Sequence, residues 1–331
     1  MGAQELTVKS EAIVFPNREG YELFGTLHAP TNYAASLPLI VLLSPGIKMR
    51  VGPHRLYNRM TESLNALGYR VFKFDFWGLG DSGGELDREL LAEVYNDTES
   101  GAFVNDSVDA LNWLQAELNV DSFVVGGLCG GAITGILLAS VDDRVQGLIS
   151  LGMTVTLAMG ATDRVKFATQ GELASLRKGY LQRLLRPKSW LRLLTFQSDF
   201  STIARSLGQA FKRKKPAPSA SNMPVASGQQ EKSNANPLFP PAFFSMTRSG
   251  RKILLIFSGA DRLYWDFDEK FAQPYATDLE SVKHEFDLYV VKDANHVFSF
   301  RDWESEMLGL TSEWLAKNFS TQTTPDEVAG L

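Results

Sequence analysis

The stretch SFVVGGLCGGAITGILLAS, residues 122–140, decides the fold. Ser122 to Gly126 is a short apolar run of strand length, and Ala132 to Ser140 reads as a buried helix. Between them lies Gly127-Leu128-Cys129-Gly130-Gly131. This is the nucleophile-elbow pattern G-x-S-x-G with cysteine in the serine place. The glycines answer a crowding problem. A nucleophile on a sharp strand-to-helix turn has a strained backbone, and side chains beside it would collide with strand and helix. The following helix presents its N-terminus to the sulfur, and its dipole favours an anion there.

Working outward, the chain alternates strand and helix. Upstream, Glu11 to Phe15 and Tyr21 to His28 flank the turn Asn17-Arg18-Glu19-Gly20 and read as antiparallel strands. Leu37 to Leu43 is a buried strand, Tyr57 to Leu67 a helix stopped at Gly68, and Arg70 to Phe74 a strand. Asn105 to Leu118 has helical spacing of apolar residues, and Val145 to Leu151 is a strand. Strands resume at Lys252 to Ser258 and Glu285 to Val291, and Asp302 to Asn318 is a closing helix. Such alternation calls for a mostly parallel sheet with crossover helices and antiparallel N-terminal strands.

The division expected is a first core segment over 1–152, a helical lid insertion over 153–249, a second core segment over 250–320, and a frayed tail over 321–331. Within the insertion, residues 212–236 (KRKKPAPSASNMPVASGQQEKSNAN) are poor in apolar side chains and read as a mobile loop.

The partners of a nucleophile elbow follow in the order nucleophile, acid, histidine. Asp261 follows strand Lys252 to Ser258, and His296 follows strand Glu285 to Val291. Both stand at carboxyl ends of strands, where open α/β sheets place their sites. Cys129, His296 and Asp261 therefore form the expected catalytic set, with Asp293 as the weaker rival acid. His28 and His284 fall at unsuitable positions, and His54 is a candidate substrate contact. The oxyanion donors expected are the amides of Gly130 and Ile47, because Pro45 has no N–H.

Composition narrows the function further. The 331 residues are 44% hydrophobic and carry a net charge of -5, so a basic nucleic-acid face is not expected. One cysteine excludes an internal disulfide and a cysteine zinc cluster. No metal or cofactor is called for. No signal peptide or apolar run of membrane-spanning length is read, so a cytoplasmic location is the expectation. Asp75 to Ser82 (DFWGLGDS) has glycine spacing but no G-K-[ST] and no helix directly after it, so it reads as a structural loop and not a phosphate cradle.

Together these residues resemble the α/β-hydrolase superfamily, in the branch of monoacylglycerol lipases and serine aminopeptidase-like hydrolases. DFWGLGDSG (residues 75–83) carries that likeness. PGIKMRVGPHR (45–55), the G-L-C elbow and RLLRPKSW (183–190) are similar to the exosortase A system-associated hydrolases of bacteria, which carry cysteine at the elbow. In that family an acidic residue often follows the cysteine, whereas Gly130 stands here. The resemblance implies hydrolysis of an ester or thioester of a small-molecule or carrier-bound acyl group. Acyl transfer through the same intermediate is the alternative enzyme reading, and a non-catalytic binding protein the alternative of another class.

Overall fold

The computed structural model describes residues 7–157 and 234–320. The expected tail and most of the expected insertion, including its loop up to residue 233, lie outside the described residues. Eight strands form one sheet: β1 (Val8–Pro16), β2 (Glu22–Pro30), β3 (Leu39–Leu43), β4 (Val71–Phe74), β5 (Phe123–Leu128), β6 (Val145–Leu151), β7 (Lys252–Ser258) and β8 (Phe286–Val291). Their spatial order is β1-β2-β4-β3-β5-β6-β7-β8. β1, β2 and β4 pair antiparallel, and every pairing from β4 through β3 to β8 is parallel. The α/β architecture with antiparallel N-terminal strands is therefore as the alternation demanded.

The continuous apolar runs explain why the central strands are covered on both faces. In β3 all five residues are buried, but they serve two cores. Leu39, Val41 and Leu43 face one core, while Ile40 and Leu42 face the other. β7 divides in the same way, with Ile253, Leu255 and Phe257 against Leu254 and Ile256. That is the two-residue period of a strand acting on a sequence that is apolar at every position.

One face is covered by α1 (Leu56–Ala66) and the long C-terminal helix, α8 (Arg301–Phe319). The other carries α3 (Val104–Leu118), α4 (Gly130–Ala139) and α5 (Phe239–Arg248), with α2 (Leu91–Glu99) against α4. Two further short helices, α6 (Arg262–Phe267) and α7 (Ala276–Ser281), lie between β7 and β8, joined by a π turn at Asp268–Ala272. The first hairpin turns as its sequence implies. Gly20 has φ 85°, and the Asn17 carboxamide oxygen accepts the Glu19 and Tyr21 amides at 3.1 and 2.9 Å.

The C-terminal border of the expected insertion moves inward. α5 packs its Phe239, Phe243 and Met246 into the same core as α4, so the sheet's own layers resume well before residue 250. The last residues of the expected mobile loop are fixed as well. Leu157 N–H donates to Asn234 at 2.8 Å and Asn236 N–H to Val155 at 2.8 Å, bridging Thr156 to Ala235. The Asn236 side chain is buried and donates to the Glu99 carbonyl at 2.6 Å, and its oxygen accepts the Leu238 amide at 3.0 Å. Whatever lies between 157 and 234 thus leaves and returns through one clasp. Among the described residues, no helix is long and apolar enough to cross a membrane.

Removing the clasp's side chain should register in stability. Asn236→Ala deletes two buried hydrogen bonds and should cost about 1–3 kcal/mol. Thermal unfolding is the check: a melting temperature within error of the parent would mean that the clasp carries no stability.

Candidate active site

The site forms at the carboxyl ends of β5, β7 and β8. Cys129 stands between β5 and α4 with φ 55° and ψ −110°, a backbone conformation that costs a non-glycine residue on the order of 1–3 kcal/mol. The surroundings hold it there. Its N–H donates to Leu151 at 2.8 Å and carries the β5–β6 ladder up to the turn, and its carbonyl accepts the Ala132 and Ile133 amides.

The glycines around it have a measurable reason. A methyl group on Gly127 would lie 2.3 Å from the Gly131 carbonyl carbon. One on Gly131 would lie 2.4 Å from the Leu43 oxygen, and one on Gly130 would lie 2.5 Å from the Gly46 Cα. The last contact explains the departure noted at Gly130. Any side chain at that position would push into the loop after β3.

Asp261 is the residue before α6, with extended backbone, three positions past the end of β7. Its carboxylate lies 2.5 Å from His296 Nδ1. Two backbone bonds tie the supporting loops together: Gly259 N–H donates to Val291 at 2.9 Å, and Ala260 N–H to Ala294 at 3.0 Å. The histidine loop is also fixed from within. The Asn295 side chain accepts the Ser299 amide at 3.1 Å and donates to the Ser299 hydroxyl at 2.6 Å, while Phe298 is fully buried. Gly152 sits beside the His296 ring, 3.8 Å from its Cε1 as measured from the place a methyl would occupy.

Electrostatics follow the geometry. Burial works against the His296 imidazolium, but hydrogen bonds to Asp261 and Cys129, together with their charges, outweigh it and hold the ring's pKa up at about 10. His28 goes the other way: burial and the nearby Lys73 push it down to about 4. At neutral pH the two rings are thus in opposite states, His296 cationic and His28 neutral.

The structure therefore brings together Cys129, His296 and Asp261. It does not bring in Asp293, which is exposed at φ 60° beyond β8 while Asp261 occupies the His296 ring nitrogen. Gly130 and Ile47 flank the Cys129 turn through the Gly130–Gly46 contact, and among the described residues neither amide has a recorded acceptor. His54 is exposed, at φ 51°, and is held by its backbone, whose carbonyl accepts Arg59 at 2.6 Å. The structure records no bond from it to the other candidates. No group of three or more metal-ligating side chains occurs among the described residues.

Sequence reasoning passed over two supports. Asp75 is fully buried and binds Arg50 through both the Arg50 amide, at 2.5 Å, and its guanidinium. Arg50 also pairs with Asp81 at 2.8 Å. This network ties the loop after β3 to the glycine-rich loop after β4. The acidic ends of DFWGLGD were the available signal, but Arg50, their partner, lies 25 positions from Asp75. The second support is Tyr57, whose hydroxyl bonds both the Leu43 carbonyl and the Leu128 amide.

A family model described as alpha/beta hydrolase fold matches residues 38–263. A Bacillus subtilis (strain 168) protein named as a hydrolase, YtaP, is 30% identical over 95 residues. That match covers 28% of this chain, and the chain spans about a third of the relative's length, 32%. Among solved structures, the Pyrococcus furiosus esterase Pf2001 superposes with a TM-score of 0.56 at 17% identity, covering 94% of this chain and 92% of its own. The α/β hydrolase GrgF from Penicillium sp. sh18 gives 0.53 at 16%, covering 94% and 99%. At such identities the likeness is one of fold. The matched residues run from just before β3 into α6, taking in the elbow and Asp261. The chain belongs to the α/β-hydrolase fold family.

Proposed function

We propose that the protein is a hydrolase that cleaves an ester or thioester, small or carrier-bound, through an acyl-Cys129 intermediate. The observation that carries this reading is the His296 ring, bonded at one nitrogen to Asp261 and held cationic by Asp261 and Cys129, beside an elbow with no room for side chains. A cationic imidazole beside the nucleophile is placed to give a proton to the leaving group. The sequence's likeness to the exosortase A system-associated hydrolases supports cysteine as the resident nucleophile.

The steps follow from these positions. The Cys129 thiolate attacks the carbonyl carbon, a C–S bond forms, and the carbonyl electron pair moves onto oxygen. The Gly130 and Ile47 amides donate to that oxyanion. As it collapses, the bond to the alcohol or thiol breaks, and the His296 imidazolium protonates the leaving group. His296, now neutral, takes a proton from water as the water oxygen attacks the acyl-cysteine. The second collapse breaks the C–S bond, releases the carboxylic acid and restores thiolate and imidazolium. Asp261 keeps the Nδ1 proton of His296 in place and supports its positive charge throughout. Because a thioester keeps more transfer potential than an oxygen ester, an alcohol or amine in place of water would make the same intermediate an acyl donor.

Intact mass measured within seconds of mixing with aryl esters and acyl thioesters tests the reading. One added acyl group is expected on the parent protein and none on Cys129→Ala. Decay of the adduct in water means hydrolysis, and discharge only by an added alcohol or amine means transfer. A parent protein that turns substrate over while Cys129→Ala keeps full activity would overturn it.

The electrostatics give a second expectation. The His296 ring should titrate near pH 10, so the stability it confers is complete below about pH 6.5 and fades as pH rises through 10. Cys129→Ala removes two influences that raise this pKa, and Asp261→Asn removes the others, so each should lower it. Following the ring Cε1–H by NMR decides this. An unchanged midpoint in both variants would refute the coupling.

A further inference from the structure

The parallel pairing of β3 with β5 has a defined phase. Leu39 N–H donates to Ser122 at 3.1 Å, and the register runs from Leu39↔Phe123 to Leu43↔Gly127. In a parallel ladder, alternate residues of one strand bond both ways to the other. Counting upward from Leu39, the next rung after the last pair would run from the Leu128 N–H to the Leu43 carbonyl. At this last rung a side chain joins the ladder: the Leu128 N–H donates to the Tyr57 hydroxyl at 2.7 Å, and that hydroxyl donates to the Leu43 carbonyl at 2.9 Å. One phenol oxygen bridges the two strand ends.

The bridge sits where the two backbones part. Beyond Leu43 the chain turns through Ser44, whose hydroxyl donates to Phe74 at 2.7 Å, into Gly46 and Ile47. Beyond Leu128 it turns through Cys129 into Gly130. The first turn of α4 packs against this point, with Gly131 against the Leu43 oxygen and Gly130 against Gly46. The loops that carry the Ile47 and Gly130 amides thus start from the two strand ends that Tyr57 bridges.

Tyr57 is well placed to hold this point. It lies in the first turn of α1, is fully buried, and its own amide donates to Val51 at 3.1 Å, on the far side of the same loop. Burial pushes its ionisation well above the usual tyrosine range, so the hydroxyl stays neutral, with a proton to give Leu43 and a lone pair to receive Leu128.

We infer that Tyr57 is the positioning residue of the oxyanion hole, its hydroxyl fixing the separation of the two strand ends that supply the Ile47 and Gly130 amides. The role rests on the acyl-cysteine reading. Without the hydroxyl the two strand ends lose the group that ties them to α1, and the loops that carry the amides are free to shift. Tyr57 makes no contact with substrate in this role, and the thiolate does not depend on it.

Tyr57→Phe tests it with two probes of the same sulfur. Iodoacetamide alkylates Cys129 by displacement at an sp³ carbon and needs no oxyanion hole. p-Nitrophenyl acetate acylates it through an oxyanion. Alkylation should stay within about 2-fold of the parent rate, while acylation should fall by about 10-fold or more, with little change in KM. Equal acylation rates in variant and parent overturn the assignment. So does a parallel fall of both rates, which would mark general damage around the elbow. A parent protein that is alkylated but never acylated sinks the acyl-cysteine reading itself, and this role with it; that result is visible before the variant is made.

Discussion

The turn from β5 into α4 is too tight for side chains, and the rest of the site is arranged around that fact. Cys129 takes a backbone conformation that few residues adopt, and it can do so only because Gly127, Gly130 and Gly131 let strand, helix and the loop after β3 touch backbone to backbone. The cost of that conformation is offset by what surrounds it: a ladder bond to β6, two helical amides on its carbonyl, and an α4 in which every residue is buried. A sulfur mounted this way is rigid. Its partners need only be brought to it.

They are brought by backbone and not by surface side chains. The Asp261 and His296 loops are joined by amide–carbonyl bonds that continue the β7–β8 pairing past its end. The loop after β3 is secured by Arg50 on the buried Asp75. Both devices keep the geometry on rigid elements, where a small displacement matters most. Burial pushes down both inward histidines, and what differs is the company. His28 meets burial and the nearby Lys73, while at His296 Asp261 and Cys129 outweigh burial.

Much of this was legible in the residues. β7 was read to its exact ends because KILLIFS is apolar and bounded by polar turns. Cys129, Asp261 and His296 could be found because each follows a recognisable strand. The expected strand ends at Gly126, where the elbow pattern begins, whereas β5 runs through the elbow's first glycine to Leu128, with Gly127 admitting a close neighbour. The helix Leu91–Glu99 went unread because LAEVYNDTE shows too few apolar positions; it is held by packing on α4. Phe239–Arg248 falls within the expected insertion, which is bounded only by the strands on either side, yet it packs on the sheet's own core, its prolines tolerated in the helix's first turn. Tyr57 reads only as a helix start and Asp75 only as the edge of a structural loop, because the partners that give them their roles lie far along the chain.

The clasp of Thr156 with Ala235 has a consequence for how such a chain can change. A segment whose two ends are already bonded to each other puts no tension on the sheet, whatever its length, since the cost of closing a longer loop grows only with the logarithm of its size. A change in the length of chain between the clasp's ends would therefore be met at the clasp before it reached the register of β6 on β7.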